Sequence, residues 1–161
     1  MKKVITVLMI FTLLCVCGCG SSAPKLTSES TPEEIFTEST SGFDEVVIND
    51  NGNGKLTVNF HLKENYNNET STMSVILTHY VRFLENLFEY SDFTDVTSNI
   101  FIDTNQGKMN TMTFEVKETD FDPEKLRKAD DVLGTFEDQC ATYIIKPFFE
   151  KNINRAGVYC S

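Results

Sequence analysis

The sequence predicts an α+β domain built as a four-stranded antiparallel sheet in ββαββα order. Two amphipathic helices pack on one of its faces, and a disordered tether precedes it. Three observations carry that prediction. Lys55 to Lys63 alternates polar and apolar residues without a fault, the period of a half-buried strand. Thr72 to Tyr90 switches to a helical period. A second alternating pair and a second helical stretch then repeat the pattern.

The first strand carries Val46, Val47 and Ile48. It is joined to the second through Asp50-Asn51-Gly52-Asn53-Gly54, whose Asn-Gly steps favour positive φ and hence a hairpin. On the first helix, Met73, Ile76, Leu77, Tyr80, Leu84, Leu87 and Phe88 form one stripe, with Arg82, Glu85 and Glu89 opposite. Thr70 or Ser71 stands where a cap is needed. Asp95–Asp103 and Met109–Glu118 form the second hairpin, turning at Asn105-Gln106-Gly107. The last long segment opens at Asp122-Pro123, a cap followed by proline at the first helical position. Leu126, Ala129, Leu133, Phe136, Cys140 and Tyr143 then recur at helical spacing. Pro147 breaks that helix, and a short helix over Phe148–Arg155 finishes the chain. The order of the hairpins within the sheet is not encoded in these patterns.

Ahead of the domain, residues 20–42 are rich in Ser, Thr, Pro and Glu and poor in large apolar side chains, so they bury too little surface to offset chain ordering. As a flexible linker of about 24 residues this stretch spans roughly 25–30 Å. Within it, Thr31-Pro32-Glu33-Glu34 followed by Ile35 and Phe36 has the layout of a capping box, enough for a turn or two of helix.

The first eighteen residues have three zones: Lys2 and Lys3, an apolar run from Val4 to Val16, and then small residues. That is the layout of a secretory signal, and the run is short of the roughly 20 residues a membrane span needs. Val16-Cys17-Gly18-Cys19 resembles the lipobox of bacterial lipoproteins, with Val16 where leucine is usual. The resemblance implies cleavage before Cys19, a diacylglyceryl thioether on its sulfur, and a cell-membrane lipid anchor facing out of the cytoplasm. Two or more acyl chains suffice for stable attachment. The expected organisation is a signal peptide over 1–18, the lipidated cysteine and linker over 19–42, and one α+β domain over 43–161.

Charge narrows the partners. The chain has a formal charge of −10; all 24 acidic residues lie beyond residue 18, and two of the 14 lysines and arginines leave with the signal, which takes it to −12. Such a chain repels phosphate backbones and anionic head groups, which excludes nucleic acid and leaves the lipid to hold the membrane alone. Of five cysteines, Cys140 and Cys160 remain beyond Cys19. In an oxidising compartment they are candidates for a disulfide, while Cys140 on the apolar stripe also reads as a small core residue.

Catalytic and metal motifs are sparse. The two histidines, His61 and His79, and the remaining cysteines have no zinc-site spacing, and no Gly-x-Ser-x-Gly is present. Asn49 to Phe60 echoes a calcium loop but has Phe60 where a bidentate glutamate is needed, so no metal or cofactor is expected. His61 sits in the polar phase of its strand. His79, Phe83 and Tyr90 lie with Val75 beside the main stripe of the first helix, where they either pack against the C-terminal helix or form a contact patch for a partner. The reading is a non-catalytic binding module for an envelope protein or a small ligand. The alternatives are a small cell-envelope hydrolase and an inhibitor or immunity-type protein that takes a basic partner. Clustering of a histidine with two acids in a concave pocket would favour the hydrolase.

Overall fold

A computed structural model describes residues 25–40, 43–62, 69–104 and 107–146. Helix α1 (Pro32–Ser39) opens it, followed by the hairpin β1 (Phe43–Gly52) and β2 (Lys55–Leu62), then the long helix α2 (Glu69–Tyr90). A second hairpin, β3 (Asp95–Thr104) and β4 (Gly107–Lys117), leads through two short helices, α3 (Pro123–Arg127) and α4 (Val132–Glu137), to strand β5 (Cys140–Ile145). The class is α+β, with five strands in the spatial order β1-β2-β3-β4-β5.

The hairpins form for the reasons their turns suggest. Gly52, Asn53 and Gly54 all have positive φ (75°, 55° and 73°), and Asp50 Oδ1 accepts a hydrogen bond from Gly52 N at 2.7 Å. The hairpins meet along β2 and β3, which run parallel from Lys55↔Asp95 to His61↔Phe101. The expected all-antiparallel sheet is therefore a mixed one: α2 carries the chain back along the sheet, so β3 starts at the same end as β2. Gly54 O anchors that start by accepting from Thr94 N (2.8 Å) and Asp95 N (3.1 Å).

Strand parity divides the sheet into two faces. Leu56, Val58, Phe60, Val96, Ile100, Met112, Phe114 and Val116 point to one face and are buried there with Met73, Ile76, Leu77, Tyr80, Leu84 and Leu87 of α2. Tyr80 touches Phe60 and Phe114, and Phe114 meets Phe136 of α4 edge-on at 5.2 Å. Helix α2 begins at Glu69, so Thr70 and Ser71 lie inside it rather than capping it.

Two further expectations give way. The long C-terminal helix is α3, α4 and a fifth strand. Leu126, Leu133 and Phe136 are buried as their spacing requires, but the chain leaves the helix between them and restarts with Asp131 as a new cap, its Oδ1 accepting from Gly134 N at 2.9 Å. Gln139 then ties the ends of this segment together, accepting from Asp122 N (2.8 Å) and donating to Asp122 O (3.2 Å). Beyond it, Cys140 to Ile145 pairs antiparallel with β4 from Val116↔Cys140 to Met112↔Ile145.

The second correction concerns the linker, because residues 32–39 belong to the folded unit. The capping box of α1 is complete: Thr31 Oγ1 accepts from Glu34 N at 3.3 Å, and Glu34 Oε2 accepts from Thr31 N at 2.9 Å. Ile35 and Phe36 enter the common core, and Asn86 of α2 donates to Ser39 Oγ at 2.8 Å. Low average hydrophobicity hid two apolar residues that a helix places side by side on one contact face. The lipobox with Cys19, Cys160 and the short helix expected over Phe148–Arg155 lie outside the described residues.

Candidate functional site

The helix stripe read as a contact patch does not hold together as a surface. Phe83 is fully buried, with its ring 5.3 Å edge-on from Phe36 of α1 and 6.4 Å from Tyr80. Phe83 follows Ile76 by seven residues, about two full turns, so it returns to nearly the same side of the helix and belongs to the buried face. The ring it meets edge-on belongs to α1. His79 is half-buried, 6.2 Å from the ring of Phe43, and Tyr90 is half-buried at the helix end, where a hydrogen bond to Glu89 holds its phenol above the ordinary range. Phe83 lies within the core, His79 and Tyr90 are half-buried, and the three present no common exposed face.

The sheet face turned away from the helices has the richer chemistry. The polar phases of four strands meet there in a row. Asn99 donates to Asn59 Oδ1 (2.8 Å), Thr113 donates to Asn99 Oδ1 (2.9 Å), and Asn110 donates to Thr113 Oγ1 (3.2 Å). Thr142 of β5 extends the row by donating to Glu115 at 2.9 Å. Val47 on β1 and Ile144 on β5, 57% and 52% exposed, flank it as the large apolar side chains that reach solvent among the described residues. Adjacent strands present these groups at fixed spacing, so the row is a preformed surface of amide and hydroxyl dipoles with an apolar margin on each side.

At one end of this face lies a depression of about 260 Å³ whose walls include Glu45, Val47, Asn59, His61, Phe101 and Lys108. His61, expected on an exposed strand face, is only 7% exposed. Neither ring nitrogen makes a hydrogen bond: Nε2 is 3.1 Å from Asp103 Oδ1, but the approach is too oblique for one. Lys108 pairs with Glu45 across the same end, and that ammonium holds the Glu45 carboxyl below the usual range. The sequence signal for this site was the run Asn59-His61 and its counterpart Asn99-Phe101. Only the parallel register, Asn59↔Asn99 and His61↔Phe101, brings the two together.

Other charged clusters are satisfied internally. Arg127 Nη2 of α3 donates to both carboxylate oxygens of Glu85 of α2 at 2.5 and 2.7 Å, and its Nη1 donates to Glu124 at 2.6 Å, which pins α3 to α2. Cys140 is largely buried. Its Sγ donates to Phe136 O at 3.2 Å, and desolvation pushes the thiol up to about 12, leaving almost no thiolate at neutral pH. Among the described residues no three histidine, cysteine or acidic side chains are grouped to hold a metal ion, and no helix is long and apolar enough to cross a membrane. No protein-family profile, curated protein or solved structure matches the chain.

Proposed function

We propose that the protein is a lipid-anchored module facing out of the cytoplasm that works by binding an envelope protein or a small ligand. The open face of the sheet is its contact surface, and the single observation behind that reading is the Asn59–Asn99–Thr113–Asn110 row bordered by exposed Val47 and Ile144. Rigid strands hold these donors and acceptors in place, so a ligand meets them already ordered, which lowers the entropic cost of binding. The anchor rests on the lipobox resemblance at Cys19. Cys19→Ala should abolish fatty-acid labelling and release the protein from membranes. For the contact surface, a photoreactive residue at Val47 should give adducts in cells, read by mass, that the same residue at Glu118 does not. Equal or absent adducts at the two positions would remove the open face from consideration.

One observation favours a second reading. His61 and Glu45 line one depression and Asp103 stands 3.1 Å from His61, a histidine with two acids of the kind a small hydrolase would use to activate water. Against it, Glu45 is engaged by Lys108, and the lining residues supply no hydroxyl or thiol nucleophile. Binding remains the better supported function.

A further inference from the structure

We infer that the depression at His61 is a receptor pocket for a basic side chain, an arginine in particular. This rests on the binding reading of the open face and names what that face recognises. The groups around the imidazole come from every neighbouring strand: Glu45 on β1, Asn59 on β2 itself, Phe101 and Asp103 on β3, and Lys108 on β4. Lys108 neutralises Glu45, which leaves the Asp103 carboxylate, 63% exposed, as the uncompensated charge. Next to it stand the two ring nitrogens of a side chain more than nine-tenths buried, without hydrogen bonds. A neutral imidazole keeps one nitrogen as an acceptor, and a carboxylate offers acceptors only. A cation with several N–H donors fills the acceptors of this set, the ring nitrogen and the carboxylate, while the imidazole N–H is left to water or a backbone carbonyl of the ligand. Nε2 and Asp103 Oδ1, 3.1 Å apart, are close enough for one planar forked donor to span.

The walls match the rest of an arginine. Val47 and Phe101 supply an apolar flank for its methylene stem and an aromatic ring for its guanidinium. The net charge of −10 on the whole chain draws a basic partner to the protein and speeds the encounter. Lys108 already opposes a cation, whereas Glu45 and Asp103 favour one.

The chain has two histidines, so selective labelling of the imidazoles gives two sets of signals, with His79 as the internal reference. The full processed chain in detergent micelles is titrated with N-acetyl-arginine amide, and in parallel with the citrulline analogue, which keeps the shape and loses the charge. The expected result is a saturable shift of the His61 signals with the arginine probe only, and unmoved His79 signals. In Asp103→Asn the affinity should fall by about tenfold or more, the scale of one charge-assisted hydrogen bond. Unmoved His79 signals show that this variant is folded. Equal response to citrulline, no saturable His61 shift, or unchanged affinity in Asp103→Asn would overturn the inference. Adducts at Val47 together with a failed titration would leave the binding face standing and remove only its arginine pocket. A titration that succeeds with free arginine and a short arginine peptide alike assigns the side chain itself as the ligand. Tighter binding of the peptide assigns a protein partner.

Discussion

Replacing Phe36 by alanine tests whether α1 is part of the domain or a passenger on it. The Phe36 ring is 5% exposed and lies 5.3 Å from Phe83, 5.7 Å from Phe43 and 5.9 Å from Phe60, so one side chain joins a helix, two strands and the long helix α2. Truncating a buried phenylalanine costs about 3–5 kcal/mol in transfer and cavity terms. The loss has a ceiling, because the variant always has the option of undocking α1 altogether and can lose no more than docking is worth. With that ceiling the expected loss is at the lower end of the range, about 3 kcal/mol. It should be measured by urea unfolding followed by far-ultraviolet circular dichroism. If undocking supplies the ceiling, the dependence on urea also shallows, since less surface remains to be exposed. Phe83→Ala should cost a similar amount. The double variant should cost less than the two singles added together by about 0.5–1.5 kcal/mol, because the rings share one contact. A loss under about 1 kcal/mol for Phe36→Ala, with unchanged urea dependence, would refute the docking of α1.

Gly54→Ala places a methyl group at φ +73°, 2.9 Å from Thr94 Oγ1, where the parallel ladder begins. A loss of about 1–2 kcal/mol in the same unfolding assay is expected, and an unchanged midpoint would show that the turn relaxes freely. Cys140, held up to about 12 from its ordinary 9.0, should react with iodoacetamide about a thousandfold more slowly in the reduced folded protein than after unfolding, as read by peptide mapping. Burial also raises the phenol of Tyr80, so both groups bind their protons more tightly in the folded state than in the unfolded one. Their contribution is fully present below about pH 9 and is lost as pH rises toward about 12, so urea midpoints should fall across that window. A flat profile would contradict it.

What the chain discloses about itself follows the range of the forces involved. The hairpin turn at Gly52–Gly54 and the α2 stripe are set by residues next to each other, and both are legible from spacing alone. The pairing of β2 with β3 is not, because nothing in Lys55–Leu62 distinguishes a parallel neighbour from an antiparallel one. Strand β5 was masked for a different reason. Leu126, Leu133 and Phe136 are helical and buried, and Cys140 and Tyr143 continue their spacing by accident, although the run Cys140-Ala141-Thr142-Tyr143-Ile144-Ile145 has the β-branched and aromatic content of a strand. The candidate site falls between these cases. His61 was visible as a polar-phase residue, but its neighbours Phe101 and Asp103 are brought beside it only by the unforeseen register.

The parallel β2–β3 ladder also sets the order in which the chain can fold. Each hairpin closes over a few residues and forms on a microsecond scale. The ladder between them joins residues 40 positions apart, as Asn59 and Asn99 are. Closing a loop of that length costs roughly 3 kcal/mol of chain entropy, and few contacts offset it until α2 lies across both hairpins. The barrier therefore sits at the docking of two preformed hairpins under one helix. Substitutions along Val58, Ile100 and Tyr80 should slow folding, whereas those in α1 or β5, which add to an existing sheet and core, should mainly hasten unfolding.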